Sequence, residues 1–246
     1  MVMSQYNPSD INRVDHIFCG GGALNASVVS NILNEGMMIG TRVGSNAQWH
    51  GNVIYEVTGS SIRIAYIEKF MKDMVNEGCP VWVKYSNDYF IYYFSGKVTG
   101  INVDLPGSIL VKLDSAEEII NNRLFPRYDV RLKASLKTVW DDEVYECTVT
   151  DISYGGASFV CEHKFDSNES IEMSLYLPKN VTAKLTGRVI RSRSSDNSLV
   201  GHAAQFIECD NMSNKQLSEY FSQLEDEVSK IYQRYLNEYK KGACNR

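Results

Sequence analysis

Two short clusters in this chain combine residue types that hold ligands. Arg123-Leu-Phe-Pro-Arg127 sets two guanidiniums four positions apart. Pro126 biases Phe125 away from helix, so the cluster reads as an extended or turning basic loop. Some twenty residues after it, Asp151-Ile-Ser153-Tyr-Gly-Gly156 closes a predicted strand with a carboxylate, a hydroxyl and two glycines at short spacing. Guanidiniums pair forkwise with planar anions, so the chemistry to expect here is capture of one small anionic ligand. Each cluster also has an ordinary reading. An arginine pair is commonly a solvated face, and Asp-x-Ser-x-Gly-Gly is commonly a turn whose Asp and Ser bond the local backbone while Gly takes φ > 0. No nucleophile–base pair, acid pair or metal cluster stands beside either one. The expectation is therefore binding without catalysis, with no catalytic residue, metal or cofactor.

Other candidates are weaker. Cys19, Cys79, Cys147, Cys161, Cys209 and Cys244 are scattered, with no C-x-x-C and no histidine at zinc-finger spacing. They read as reduced thiols of a cytoplasm rather than a disulfide framework or metal knuckle. His16, His50, His163 and His202 are equally dispersed. Gly20-Gly21-Gly22 resembles the start of a phosphate loop, but no Gly-Lys-Ser/Thr follows it, so it reads as a turn.

The elements that must position the two clusters are mostly strands. Asn52–Val57 and Ser61–Ile67 alternate around Thr58-Gly59-Ser60, a hairpin pattern. Val81–Tyr85, Tyr89–Phe94 and Ile109–Leu113 continue it, with turns at Asn87-Asp88 and Pro106-Gly107. Short strands at such spacing predict a small barrel, preceded by a short helix over Asn25–Leu33. Asp114, Glu117 and Glu118 form an acidic stretch ahead of the basic loop, which reads as a joint between two folded units. Six further strands are predicted over Asp129–Val139, Val144–Thr150, Ala157–Cys161, Ser170–Leu177, Ala183–Arg193 and Leu199–Ile207. Their turns fall at Asp141-Asp142, Asp166–Asn168, Pro178–Asn180 and Ser194–Ser198. Closing them into a barrel removes the exposed edges. A helix follows, with Ser213-x-x-Gln216 as a capping box and Gly242 as its stop. Its stripe of Leu217, Phe221, Leu224, Val228, Ile231 and Tyr235 serves either its own barrel or a homodimer.

Taken together, the two clusters resemble the PilZ domain family, defined by R-x-x-x-R and, a few tens of residues later, D/N-x-S-x-x-G. Gly201-His-Ala-Ala-Gln-Phe206 is similar to the closing strand of that family. The resemblance implies a six-stranded barrel that binds cyclic di-GMP, with Arg123, Arg127, Asp151, Ser153 and Gly156 as the ligand-binding residues. The residue chemistry agrees. A guanidinium meets the O6 and N7 acceptors of guanine bidentately, and also pairs with phosphate and stacks on purines. Asp151 can accept from the N1–H and N2–H2 donors that adenine lacks as a pair. Ser153 can bond a base or phosphate, and Gly156 would let backbone approach a flat base. One departure is Asn122, where many members carry a further arginine, which bears on whether one or two ligand molecules are held.

The preceding β unit resembles the flagellar-brake, YcgR-type architecture. That gives a mainly β chain of two small antiparallel barrels, the first split-barrel-like and the second six-stranded, with a C-terminal α-helix. The expected divisions are an extension over 1–36, a first barrel over 37–113, a joint over 114–122, the PilZ domain over 123–208 and the helix over 209–246. The resemblance implies a ligand-driven change between the barrels that regulates flagellar motility by contact with a motor or stator protein. The same ligand could instead govern exopolysaccharide or adhesin output. A flavin-binding split-barrel enzyme is a further alternative, although no basic Gly/Ser/Thr cluster in residues 36–113 offers a flavin phosphate site.

Composition bounds these readings. The 246 residues are 43% hydrophobic, enough for packed cores, and no apolar run reaches the ~20 residues of a membrane span. With no secretory pattern at the N-terminus, the expectation is a cytoplasmic protein, recruited to the flagellar basal body if the resemblance holds. The 25 basic and 30 acidic residues leave a formal charge of −5, which argues against broad coating of nucleic acid. Tyr85, Tyr89, Tyr92 and Tyr93 could stack bases, but few cations accompany them, and aromatic packing within the barrel is the better account.

Overall fold

The computed structural model describes residues 24–44, 48–140, 143–194 and 199–244. The glycine run at 20–22 and the turns expected at 141–142 and 195–198 lie outside them. The chain forms two compact units, one running through Asn122 and including Ser229–Arg246, the other Arg123–Val228.

The first unit opens with α1 (Ala26–Ile32), capped by Asn25, whose Oδ1 accepts from Ser27 N–H at 3.0 Å. It continues as β1 (Met38–Val43), β2 (His50–Thr58), β3 (Ser61–Ala65), the short α2 (Glu68–Lys72), β4 (Pro80–Ser86), β5 (Phe90–Asn102) and β6 (Ser108–Ile120). These six strands close a barrel in the order β1-β2-β3-β6-β5-β4, every pair antiparallel. Alternation fills its interior: Val81 and Val83 point inward from β4 while Trp82 and Lys84 do not. Phe94, Ile62, Ile64 and Ile109 complete the same core.

The acidic joint is not a joint. Asp114–Ile120 belongs to β6, with Ala116, Glu117 and Glu118 in register opposite Phe94, Tyr93 and Tyr92 of β5. Ala116 faces the core, and Glu118 hydrogen-bonds the Tyr92 hydroxyl, which burial first and that bond second push up to about 12. A carboxylate served by a cross-strand tyrosine is compatible with strand, so the charge marks a partly exposed sheet face instead of a break. Tyr85 and Tyr92 stack on each other at 6.2 Å and pack against the core, the packing role expected of them.

The second unit comprises β7 (Tyr128–Thr138), β8 (Tyr145–Ser153), β9 (Gly156–Cys161), β10 (Ser170–Leu177), a 3-10 turn at Pro178–Asn180, β11 (Val181–Ser194) and β12 (Val200–Cys209). They close a second antiparallel barrel in the order β10-β11-β12-β9-β8-β7. Phe159, Phe165, Leu175 and Val189 fill it. His202 is buried between β9 and β11: one ring nitrogen lies 2.8 Å from Ser192 Oγ, the other 3.0 Å from the His163 carbonyl, and the ring stacks on Phe159. It is a core histidine.

The last helix, α3, spans Asn211–Cys244. Ser213 does not begin it. Asp210 does, accepting from Ser213 N–H at 2.8 Å and from its hydroxyl at 2.9 Å. A carboxylate at the N-terminus also suits the helix dipole, and the Ser213 bonds hold the Asp210 carboxyl below the usual range. Gly242 likewise sits inside the helix. Within the second unit Leu217, Tyr220 and Phe221 enter the barrel core. Within the first, Tyr232, Tyr235, Leu236 and Tyr239 gather on Val53, Tyr55 and Ala65, and Tyr239 stacks on Tyr55 at 4.2 Å. The apolar stripe is thus largely consumed by the chain itself, while Val228 and Ile231 remain exposed.

Candidate functional site

The basic loop occupies the irregular segment between β6 and β7. It bends at Leu124 and Phe125, and Tyr128 at the head of β7 anchors it. The Tyr128 ring stacks on Phe221 of α3 at 5.0 Å, and its hydroxyl donates to Glu225. Asp151 lies near the end of β8, opposite Asp129 of β7 and Ser158 of β9. Ser153 and Gly156 face each other across Tyr154-Gly155, a two-residue hairpin turn.

Aromatic contacts bring loop and hairpin together. Phe125 meets Tyr154 at 5.7 Å, and Tyr154 packs edge-on against Phe221 at 4.6 Å. The Phe125 ring comes so close to Gly155 that a Cβ there would sit 3.2 Å from it. The result pairs the two predicted clusters: Arg127 Nη1 lies 3.3 Å from Asp151 Oδ1. With 44% and 23% of these side chains exposed, both charges stay open to a ligand. Arg123 stands exposed at the start of the same loop.

Ser153 and Gly156 have local work. Ser153 is buried, its Oγ accepting from Gly155 N–H at 3.3 Å and donating to the Gly156 carbonyl at 3.2 Å. A Cβ on Gly156 would lie 2.2 Å from the Ala204 carbonyl oxygen of β12. The glycine is there because two backbones approach, whatever else approaches it. These two residues shape the hairpin that carries Asp151.

Sequence reasoning passed over Phe125, Tyr154, Phe221 and Tyr128, the rings that hold the loop to the barrel. Phe125, Tyr128 and Tyr154 lie inside or beside the clusters, whereas Phe221 stood out only as part of the helix stripe. Arg131 lies on β7, and Arg188, Arg191 and Arg193 lie on β11. All four are exposed, but Arg191 falls on one cross-strand row with Asp151 through Ser158 and Ala203. Two small side chains, Ser158 and Ala203, separate the carboxylate from the guanidinium along this row, roughly 14 Å at ~4.8 Å per strand. Among the described residues, no group of His, Cys, Asp and Glu able to hold a metal ion gathers, and no helix is long and apolar enough to cross a membrane.

The site is thus a closed antiparallel barrel with an arginine loop pinned beside a carboxylate-bearing hairpin. Residues 121–223, which take in most of the second unit, match the PilZ domain family. No curated protein matches the chain. Several solved structures are similar to it. The inhibitor of motility MotI/DgrA of Bacillus subtilis is 16% identical, over 78% of this chain and 98% of its own, with a TM-score of 0.40. The MrkH–c-di-GMP complex of K. pneumonia is 13% identical over 84% and 94%, at 0.47. YcgR of Escherichia coli in complex with c-di-GMP is 10% identical over 85% and 92%, at 0.41.

Proposed function

We propose that this chain is a receptor for cyclic di-GMP, held by Arg123, Arg127 and Asp151 on a hairpin shaped by Ser153 and Gly156. The observation that carries the reading is the Arg127–Asp151 contact at 3.3 Å, which joins the two clusters of the PilZ domain at one open place. The guanidiniums take the phosphodiesters and the O6/N7 edge of a guanine. Asp151 accepts from the N1–H and N2–H2 of the base. The row through Ser158 and Ala203 gives a flat purine somewhere to lie, with Arg191 at its far end.

The output follows from the family analogy alone. The receptor works in the cytoplasm, where the liganded form docks on a flagellar motor or stator protein and slows swimming. Arg123 is the first residue of the second unit, so ligand capture acts where the units join in sequence. It can shift an arrangement only if the ligand binds one arrangement more tightly than the other. A pull-down from motile cells, with and without cyclic di-GMP, tests this. The expected result is a motor or stator protein retained only with ligand and lost with Arg127→Ala. Retention that ignores the ligand, or ligand-dependent retention of a polysaccharide synthase or adhesin regulator instead, would overturn the motility output.

A further inference from the structure

The first barrel carries a side-chain cluster that the proposed ligand site does not use. Gly40 and Arg42 of β1, and Trp82 and Lys84 of β4, occupy positions that alternate with the buried Ile39, Thr41, Val81 and Val83. They lie on the outer face of the barrel. Arg42 and Trp82 are register partners, and Trp49 immediately precedes β2. The Arg42 guanidinium carbon sits 4.9 Å from the Trp49 ring centroid and 4.9 Å from that of Trp82. Trp49 also meets Tyr93 of β5 at 6.1 Å, and Lys84 Nζ stands 5.9 Å from the Tyr93 ring. Trp49 reaches this position over Gly40, where a Cβ would already lie 3.4 Å from the indole.

Indoles on the outside of a barrel do not fill its core, so their arrangement needs another account. Two rings near Arg42 restrain its guanidinium and leave its planar fork of N–H groups little freedom to lose on binding. Among the described residues no carboxylate pairs with Arg42, and its buried Nε has no hydrogen-bond partner. Trp, Tyr and Arg are also the residues that dominate protein interfaces energetically. We propose that this face docks an acidic segment of a partner protein, one carboxylate seated on the fork of Arg42 and an apolar neighbour lying on Trp82 and Tyr93. The site is independent of cyclic di-GMP recognition. The rings are half-buried rather than protruding, which suits a peptide better than a bilayer.

The test uses the full chain and its own fluorescence, since two of its three tryptophans, Trp49 and Trp82, lie in the cluster. The probe is a short synthetic peptide of alternating Glu and Phe. It is compared with the same peptide carrying Lys for Glu, with single-stranded oligothymidylate, and with phosphatidylglycerol vesicles. Saturable emission change is expected with the acidic peptide alone. Arg42→Gln is expected to weaken it roughly tenfold or more, and Arg42→Lys, which keeps charge without the fork, by an intermediate factor. Both variants keep the wild-type melting temperature and cyclic di-GMP affinity; should Arg42→Gln melt early, Arg42→Lys carries the comparison. Equal binding in the variants, binding of the oligonucleotide or vesicles in place of the peptide, or a self-association in sedimentation that Arg42→Gln abolishes would each overturn the proposal.

Discussion

Arg127→Ala weakens cyclic di-GMP by at least about tenfold while leaving the melting temperature almost where it was. The first half follows from losing a charge-assisted contact, about 1.5–3 kcal/mol, or roughly 10- to 150-fold in affinity. The second half follows from the geometry of the pair. Arg127 and Asp151 meet at 3.3 Å with side chains 44% and 23% exposed. A solvent-screened pair of that kind contributes about 0–1 kcal/mol to stability. Arg123→Ala and Asp151→Ala follow in the same direction, because each removes a charged partner of the ligand and no core packing. Calorimetric titration beside a thermal melt separates the two effects. Undiminished affinity in all three variants would remove the site from this loop and hairpin.

Gly156→Ala produces the opposite pattern. Its new methyl would lie 2.2 Å from the Ala204 carbonyl oxygen and 3.3 Å from Gln205 Cα, backbone atoms of β12 that no rotamer change can move aside. Gly156 pairs with Gln205 of β12 on one side and with Ser153 of β8 on the other. Relief therefore means prising apart two ladders at once. The second unit should lose about 3 kcal/mol or more, a large share of the ~5–15 kcal/mol that holds a domain. Urea denaturation reads this directly, and ligand capacity should fall only as the folded fraction falls. If Gly156→Ala kept wild-type stability but lost cyclic di-GMP, the glycine would be where the ligand approaches, as its place in the motif first implies.

The contrast between these two variants shows what was legible in the amino-acid order. Alternation and turn residues marked all six strands of the second barrel, because inward and outward positions differ in polarity wherever one face is buried. The hairpin at Gly59 and the turn at Asn87-Asp88 were legible for the same local reasons. The acidic stretch at Asp114–Glu118 misled because its charges are answered across the sheet, by Tyr92 in the case of Glu118, and pairing across strands leaves no local trace. The cap of α3 moved from Ser213 to Asp210, since both are capping types and only tertiary placement decides. At the site, residue types singled out Arg127 and Asp151, which the fold brings to 3.3 Å from each other. The turn reading of Asp-x-Ser-x-Gly-Gly already had Ser153 bonding the local backbone, but residue types could not show the Ala204 carbonyl of β12 closing on Gly156. Nor could they show Phe125 and Tyr154 fastening the loop, a contact made by residues far apart in the chain.

The proposed receptor would read guanine through Asp151 and the loop arginines together, and phosphate through the arginines. Its most direct test is a pair of calorimetric titrations of the intact chain, one with cyclic di-GMP and one with cyclic di-AMP. The two ligands share a phosphodiester ring, so any preference comes from the bases: adenine lacks the N1–H and N2–H2 donors that Asp151 would accept from, and it offers the arginines an N6–H2 donor in place of the O6 acceptor. Saturable binding of cyclic di-GMP, with cyclic di-AMP weaker by roughly tenfold or more, is the predicted result. Equal affinity for both, or no heat with either, would contradict it.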